Sequence, residues 1–141
     1  MYLIDTNVFL EVMLSRERSE ECKELLRMLK EGKLEGAITD FTIHAIIVLL
    51  DRFKKLNAIK SFLQSLTVYK GLYIYTTSLH GEIKAVELAT ETGLDMDDAI
   101  QYYAALSVNA EAIVSYDKHF DNLKIPRREP KDIVESRPQQ F

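Results

Sequence analysis

Short apolar strands alternating with amphipathic helices predict an α/β fold, a mostly parallel sheet covered on both faces by helices. Two observations carry that expectation. Each apolar run is followed by a segment of helical period, so successive strands are joined by right-handed crossovers and lie parallel. The chain has 141 residues, 47% of them apolar and 28% charged, enough for one domain with a substantial core.

The elements follow in order. "YLID" at 2–5 reads as a short buried strand, and "TNVFLEVMLS" at 6–15 as a helix with Asp5 or Thr6 near its cap. In "SEECKELLRMLKEGK", Cys22, Leu25, Leu26 and Leu29 recur at helical spacing, and Gly32 can end the helix. "GAIT" at 36–39 is a second strand. Two helices follow over 41–55 and 57–69, with Asn57 as a cap between them. "LYIYTT" at 72–77, rich in aromatic and β-branched residues, is a third strand. Helices over 78–92, ended by Gly93, and over 95–109 lead to a fourth strand, "EAIVSY". Pro126, Pro130 and Pro138 all lie in the tail. A single domain over 1–141 is therefore expected to end in an irregular, proline-containing segment from about 125, with any regular structure there short.

Composition narrows the function. The net charge of −4 and a pI near 5.4 argue against broad electrostatic binding of nucleic acid, but leave room for a site where a bound cation meets a phosphate. The single cysteine, Cys22, forms no intrachain disulfide and fits a reducing compartment. "FTIHAIIVLL" has 10 residues between Asp40 and Asp51, far short of the ~20 that span a bilayer. Met1 runs directly into the first strand, without a signal-peptide pattern. A cytoplasmic protein without membrane contact is expected.

In parallel sheets the site lies beyond the carboxyl ends of the strands, at a switch in strand order. Asp5 and Asp117 stand at two such ends. "GLDMDDAIQYYAA" adds three acids at a helix start, where Asp95 can cap and Asp97 and Asp98 suit the helix dipole. Each acid alone has such a local explanation, and Asp117 and Asp121 also suit turns. Together, carboxylates converging on one cleft repel each other unless a cation sits between them. Mg²⁺ or Mn²⁺ is the natural partner for hard oxygen ligands, and such a site supports phosphoryl chemistry.

"LIDTN", "DDA" at a late helix start and "VSYDKHFD" after the last main strand, in that order and spacing, resemble a PIN domain across nearly the whole chain. The resemblance implies a three-layer α/β/α sandwich with a central, mostly parallel sheet of four or five strands. It implies a Mg²⁺- or Mn²⁺-dependent endoribonuclease. At this length it also implies a VapC-like toxin with an antitoxin partner and a homodimeric state, for which apolar helices between Phe41 and Leu66 offer surface. Asp5, Asp98 and Asp117 match the catalytic, metal-binding acids. Asn7, Asp97, Ser115 and Asp121 are auxiliary candidates.

One acid of that family pattern is absent. In "TDFTIHAII" Ala45 stands where a helix glutamate is expected, no Glu occurs between Glu35 and Glu82, and Asp40 comes too early. His44, in an otherwise apolar helix, reads as a buried or half-buried residue satisfied by a hydrogen bond, and as a site candidate because of the missing acid. Glu11 reads as a solvated helix residue. His80 and His119 read as surface residues, although Lys118 and His119 could touch a phosphate near Asp117. Arg127 and Arg128 could follow a nucleic-acid backbone but suit a solvated basic pair better. Tyr73, Tyr75, Tyr102 and Tyr103 could stack on bases or simply pack. The alternative to a nuclease is a PIN fold with impaired catalysis that binds RNA or protein. A dehalogenase-like phosphatase needs a second acid where the chain has Asn7, and a receiver domain needs its phosphorylated Asp after a mid-chain strand; neither pattern is present.

Overall fold

Hydrogen bonding orders five strands as β3-β2-β1-β4-β5, every neighbouring pair parallel, in the computed structural model, which describes residues 1–136. The strands are β1 (Tyr2–Ile4), β2 (Gly36–Thr39), β3 (Leu72–Tyr75), β4 (Ile113–Val114) and β5 (Arg127–Arg128). Leu3 pairs with Ala37 on one side and Ile113 on the other, so β1 is central. Strand order reverses beside β1, and the carboxyl ends of β1 and β4 flank the crevice this creates.

Alternation along the strands separates two cores. Ile4, Ile38 and Val114 face one cluster, which takes in Val8 and Phe9 of α1 (Thr6–Met13) and Leu25 and Leu29 of α2 (Ser19–Glu31). It also holds Ile46 of α3 (Asp40–Arg52) and Phe62 of α4 (Leu56–Leu66). Leu3, Ala37 and Ile113 face the other cluster, with Tyr102, Ala104 and Ala105 of α6 (Met96–Ser107). Helix α5 (Leu79–Thr92) packs on α6. The sheet is thus the middle of three layers, because residues two apart on a strand share a face.

Sequence signals set most boundaries. Asp5 caps α1, its side chain accepting from the Thr6 amide. Gly32 and Gly93 end α2 and α5 at φ +77° and +79°, conformations that a Cβ disfavours. Asn57 is not a cap. It lies inside α4, whose flanking residue is Lys55 and carries no side-chain cap bond. The segment after 125 is more regular than its prolines suggest. Arg127–Arg128 add the edge strand β5, where one missing proline amide is no loss, and Pro130 starts α7 (Pro130–Ser136), the position where its ring suits a helix. Pro138 lies outside the described residues. No described helix is long and apolar enough to cross a membrane.

Candidate active site

The carboxyl ends of β1 and β4 and the start of α6 meet at one cleft of about 280 Å³, lined among others by Asp5, Asn7, Ala45, Asp97, Asp98 and Asp117. Asp5 leaves β1 and is buried. Its Oδ1 accepts from the Thr6 amide at 2.8 Å and from Gln101 Nε2 at 3.2 Å, and its Oδ2 accepts from Ser115 Oγ at 2.6 Å. Ser115 closes β4. Besides donating to Asp5, its hydroxyl oxygen accepts from the Asp117 amide at 2.9 Å and from Asn7 Nδ2 at 3.2 Å. One hydroxyl therefore ties Asp5, Asn7 and the backbone of Asp117 together. Asp117 caps a one-turn 3-10 helix, Lys118–Phe120, accepting from the His119 amide at 2.9 Å, so its position at a turn and its place in the cleft coexist.

Asp98 sits in the first turn of α6 beside Asp97. Its carboxyl is pushed up to about 6, first by burial and then by the charges of Asp97 and Asp117, and His119 draws it partly back. Burial also raises Asp5 above the ordinary carboxylate value, against the hydrogen bonds from Ser115, Gln101 and Thr6, with Asp117 adding to the rise. Desolvated like charges of this kind favour protonation or a cation. The residues present fit a divalent cation: hard oxygen donors predominate, and Asn7 Oδ1, at the same cleft, is buried without a hydrogen-bond partner among the described residues. Asp98 and Asp117 offer oxygens close enough together to share such an ion, while Asp5 lines the same cleft with both oxygens engaged by Thr6, Gln101 and Ser115.

The other candidates divide. Asn7, Asp97 and Ser115 lie in or directly behind the cleft. Asp121 turns to the tail, where Arg127 Nε binds it at 2.8 Å. His44 is exposed, not buried, and its Nδ1 lies 2.9 Å from the Asp40 carbonyl. Helix geometry turns it to solvent while Ala45 lines the cleft. Glu11 accepts from the Arg18 amide outside the cleft. Arg127 is no free basic residue, since it also binds Glu129 and the Ser115 carbonyl. Tyr102 is buried in the second core, and Tyr75 and Tyr103 meet edge to face.

Two features escape sequence reasoning. Behind Asp5 lies a buried polar network. Gln101 Nε2 donates to Thr42 Oγ1 at 2.9 Å, Thr39 Oγ1 donates to Gln101 Oε1 at 2.7 Å, and the hydroxyls of Thr42 and Thr6 are 2.9 Å apart. Gln101 lies three residues after Asp98, on the same helix face, and that spacing was the available signal. The second is His119, exposed as expected, yet with Nδ1 at 3.2 Å from Asp98 and 3.1 Å from Asp117. Those acids raise its pKa, Asp117 by its charge and Asp98 by hydrogen bonding.

Several solved structures share this architecture. A toxin–antitoxin complex from Klebsiella pneumoniae aligns at a TM-score of 0.69 and 19% identity, over 92% of this chain and 98% of that one. VapBC2 from Rickettsia felis, bound to a DNA fragment from its promoter, aligns at 0.70 and 18%, over 91% and 97%. A sarcin-ricin-loop-cleaving VapC toxin of Mycobacterium tuberculosis aligns at 0.66 and 12%, over 84% and 91%. No curated relative matches the chain by sequence. A family model described as PIN domain matches residues 1–119, a span that includes every acid lining the cleft, and the chain belongs to the PIN-domain family.

Proposed function

We propose that this PIN domain is a Mg²⁺- or Mn²⁺-dependent endoribonuclease, acting as the toxin of a VapBC-like pair in the cytoplasm. The convergence of Asp5, Asp98 and Asp117 on one cleft at the switch in strand order carries the reading. A bound divalent cation supplies charge stabilisation at the phosphate and lowers the pKa of an attacking water. The chain's own residues do the positioning. Ser115 and Gln101 fix both oxygens of Asp5, the first turn of α6 presents Asp98, and the cap geometry of the 3-10 turn presents Asp117. A rigid donor set of this kind orients a phosphodiester for in-line attack.

An antitoxin partner is supported by the toxin–antitoxin complexes among the similar folds. An apolar groove of about 400 Å³, lined by Phe9, Val12, Met13, Phe62 and Tyr69 among others, suits an apolar segment of that partner. Exposed Val48, Phe53, Leu56 and Leu63, on and between α3 and α4, support a homodimer, which sedimentation would measure. The second reading, an RNA- or protein-binding PIN fold with impaired catalysis, is favoured by one observation: Ala45 lines the cleft and offers no ligand. Cleavage of a structured RNA with Mn²⁺, with Mg²⁺ and with chelator decides between them. Metal-dependent cleavage lost in Asp5→Asn and Asp98→Asn supports the nuclease, and RNA binding without cleavage at any metal concentration supports the alternative.

A further inference from the structure

The rim of the cleft holds a group that three carboxylates leave unexplained. His119 projects from the 3-10 turn two residues beyond Asp117, and its side chain is 68% exposed. An exposed histidine is free to turn toward water. This one brings a single ring nitrogen, Nδ1, to 3.2 Å from Asp98 Oδ2 and 3.1 Å from Asp117 Oδ1. One donor atom from each of Asp98, Asp117 and His119 lies within 4.8 Å of the other two. Neighbouring ligands on a six-coordinate ion with bonds of ~2.1 Å stand about 3 Å apart. The nitrogen already has that separation from both oxygens.

We propose that His119 is a ligand of the divalent cation, its imidazole nitrogen joining the carboxylates of Asp98 and Asp117, and that it biases the site toward Mn²⁺ over Mg²⁺. The proposal rests on the metal-dependent reading above and adds to it a residue and a selectivity. Mg²⁺ binds oxygen almost to the exclusion of nitrogen and retains its waters, whereas imidazole suits transition-series ions. The orphaned Asn7 Oδ1 in the adjoining cleft points independently to a bound cation, since a buried acceptor without a donor is costly. His119 does not occupy the place left by Ala45. Ala45 lines the cleft, while His119 lines the neighbouring depression together with Asp95, and Asp98 borders both. The imidazole thus adds a ligand beside Asp98 and Asp117 without restoring the charge of a carboxylate.

A ring that merely neutralises the two acids makes the contrary prediction, because removing a positive charge tightens cation binding. The test uses the full chain in neutral buffer, where the two predictions for His119→Ala differ in sign. Mn²⁺ is titrated into wild type, His119→Ala, His119→Gln and Asp98→Asn, with Mg²⁺ as competitor, and bound Mn²⁺ is read by pulsed electron paramagnetic resonance. Wild type is expected to show nitrogen hyperfine coupling that vanishes in both His119 variants. Their Mn²⁺ affinity should fall by about tenfold or more, with Mg²⁺ affinity little changed. Bound Mn²⁺ without nitrogen coupling in wild type, or tighter Mn²⁺ binding by His119→Ala, overturns the proposal and leaves the metal-dependent reading standing. No binding of either ion by wild type overturns both.

Discussion

Ser115 Oγ donates a 2.6 Å hydrogen bond to Asp5 Oδ2 across the gap between β4 and β1, joining residues 110 positions apart. The bond holds a buried carboxylate whose pKa is raised by burial, so removing it leaves an oxygen unsatisfied. Ser115→Ala is expected to fold and to lose ~1.5–3 kcal/mol at neutral pH, the usual range for a hydrogen bond to a charged group. Urea unfolding of the metal-free protein measures it. An unchanged midpoint would mean that water replaces the hydroxyl.

The metal-free protein should lose stability as pH rises. Asp98, pushed up to about 6 from an ordinary 3.8, binds a proton in the folded chain that the unfolded chain has already released. That contribution falls from about pH 4 to about pH 6 and stays low above it. His119, raised from 6.5, acts in the same direction, with its contribution full below 6.5 and lost as pH passes its folded value. Melting temperatures in chelator should therefore decline across this range, and Mn²⁺ at neutral pH should restore them. A melting temperature that rises from pH 4 to pH 7 in chelator would contradict the clustering of these charges.

Ala45→Glu places a carboxylate at a half-buried position that lines the cleft, on a helix that tolerates it. Metal affinity should rise by about tenfold or more, and RNA cleavage with it, as seen by calorimetry and by product formation at low Mg²⁺. If the wild type already cleaves at low Mg²⁺ and the variant matches it, the ligand set is complete without an acid there.

Gly71→Ala tests the frame. A Cβ at Gly71 would stand 2.0 Å from the Leu34 carbonyl oxygen, and backbone bonds from the Gly71 amide to Leu29 and from the Gly36 amide to Gly71 leave no room to retreat. The variant should lose more than ~3 kcal/mol, visible as a sharp drop in melting temperature or as insoluble protein.

Strands and helices were legible because their periods are local properties, and Asp5, Asp98 and Asp117 stand out because strand ends and a helix start announce themselves. The β5 strand was not legible. Arg127 and Arg128 have no strand pattern of their own and pair only because β4 offers an open edge. Gln101, Thr42 and Thr39 were missed for a related reason: their bonds join three separate elements, and nothing near each residue marks it as buried. His119 is exposed, as its sequence context predicts. Its contact with Asp98, 21 residues earlier, spans a distance over which sequence pattern carries no geometry.

The central place of β1 has a consequence in time. Its partner β4 is made more than 100 residues later, and the hydroxyl that fixes Asp5 belongs to a residue synthesised 110 positions after it. At the ~5–20 residues per second of translation, Asp5 waits roughly 5–20 s for Ser115 to exist. A growing chain therefore carries the first acid of the cleft long before it carries a cleft. The site comes into being late: α1 to α4 are complete by Leu66, and roughly 2–10 s of synthesis still separate that helix from Ser115.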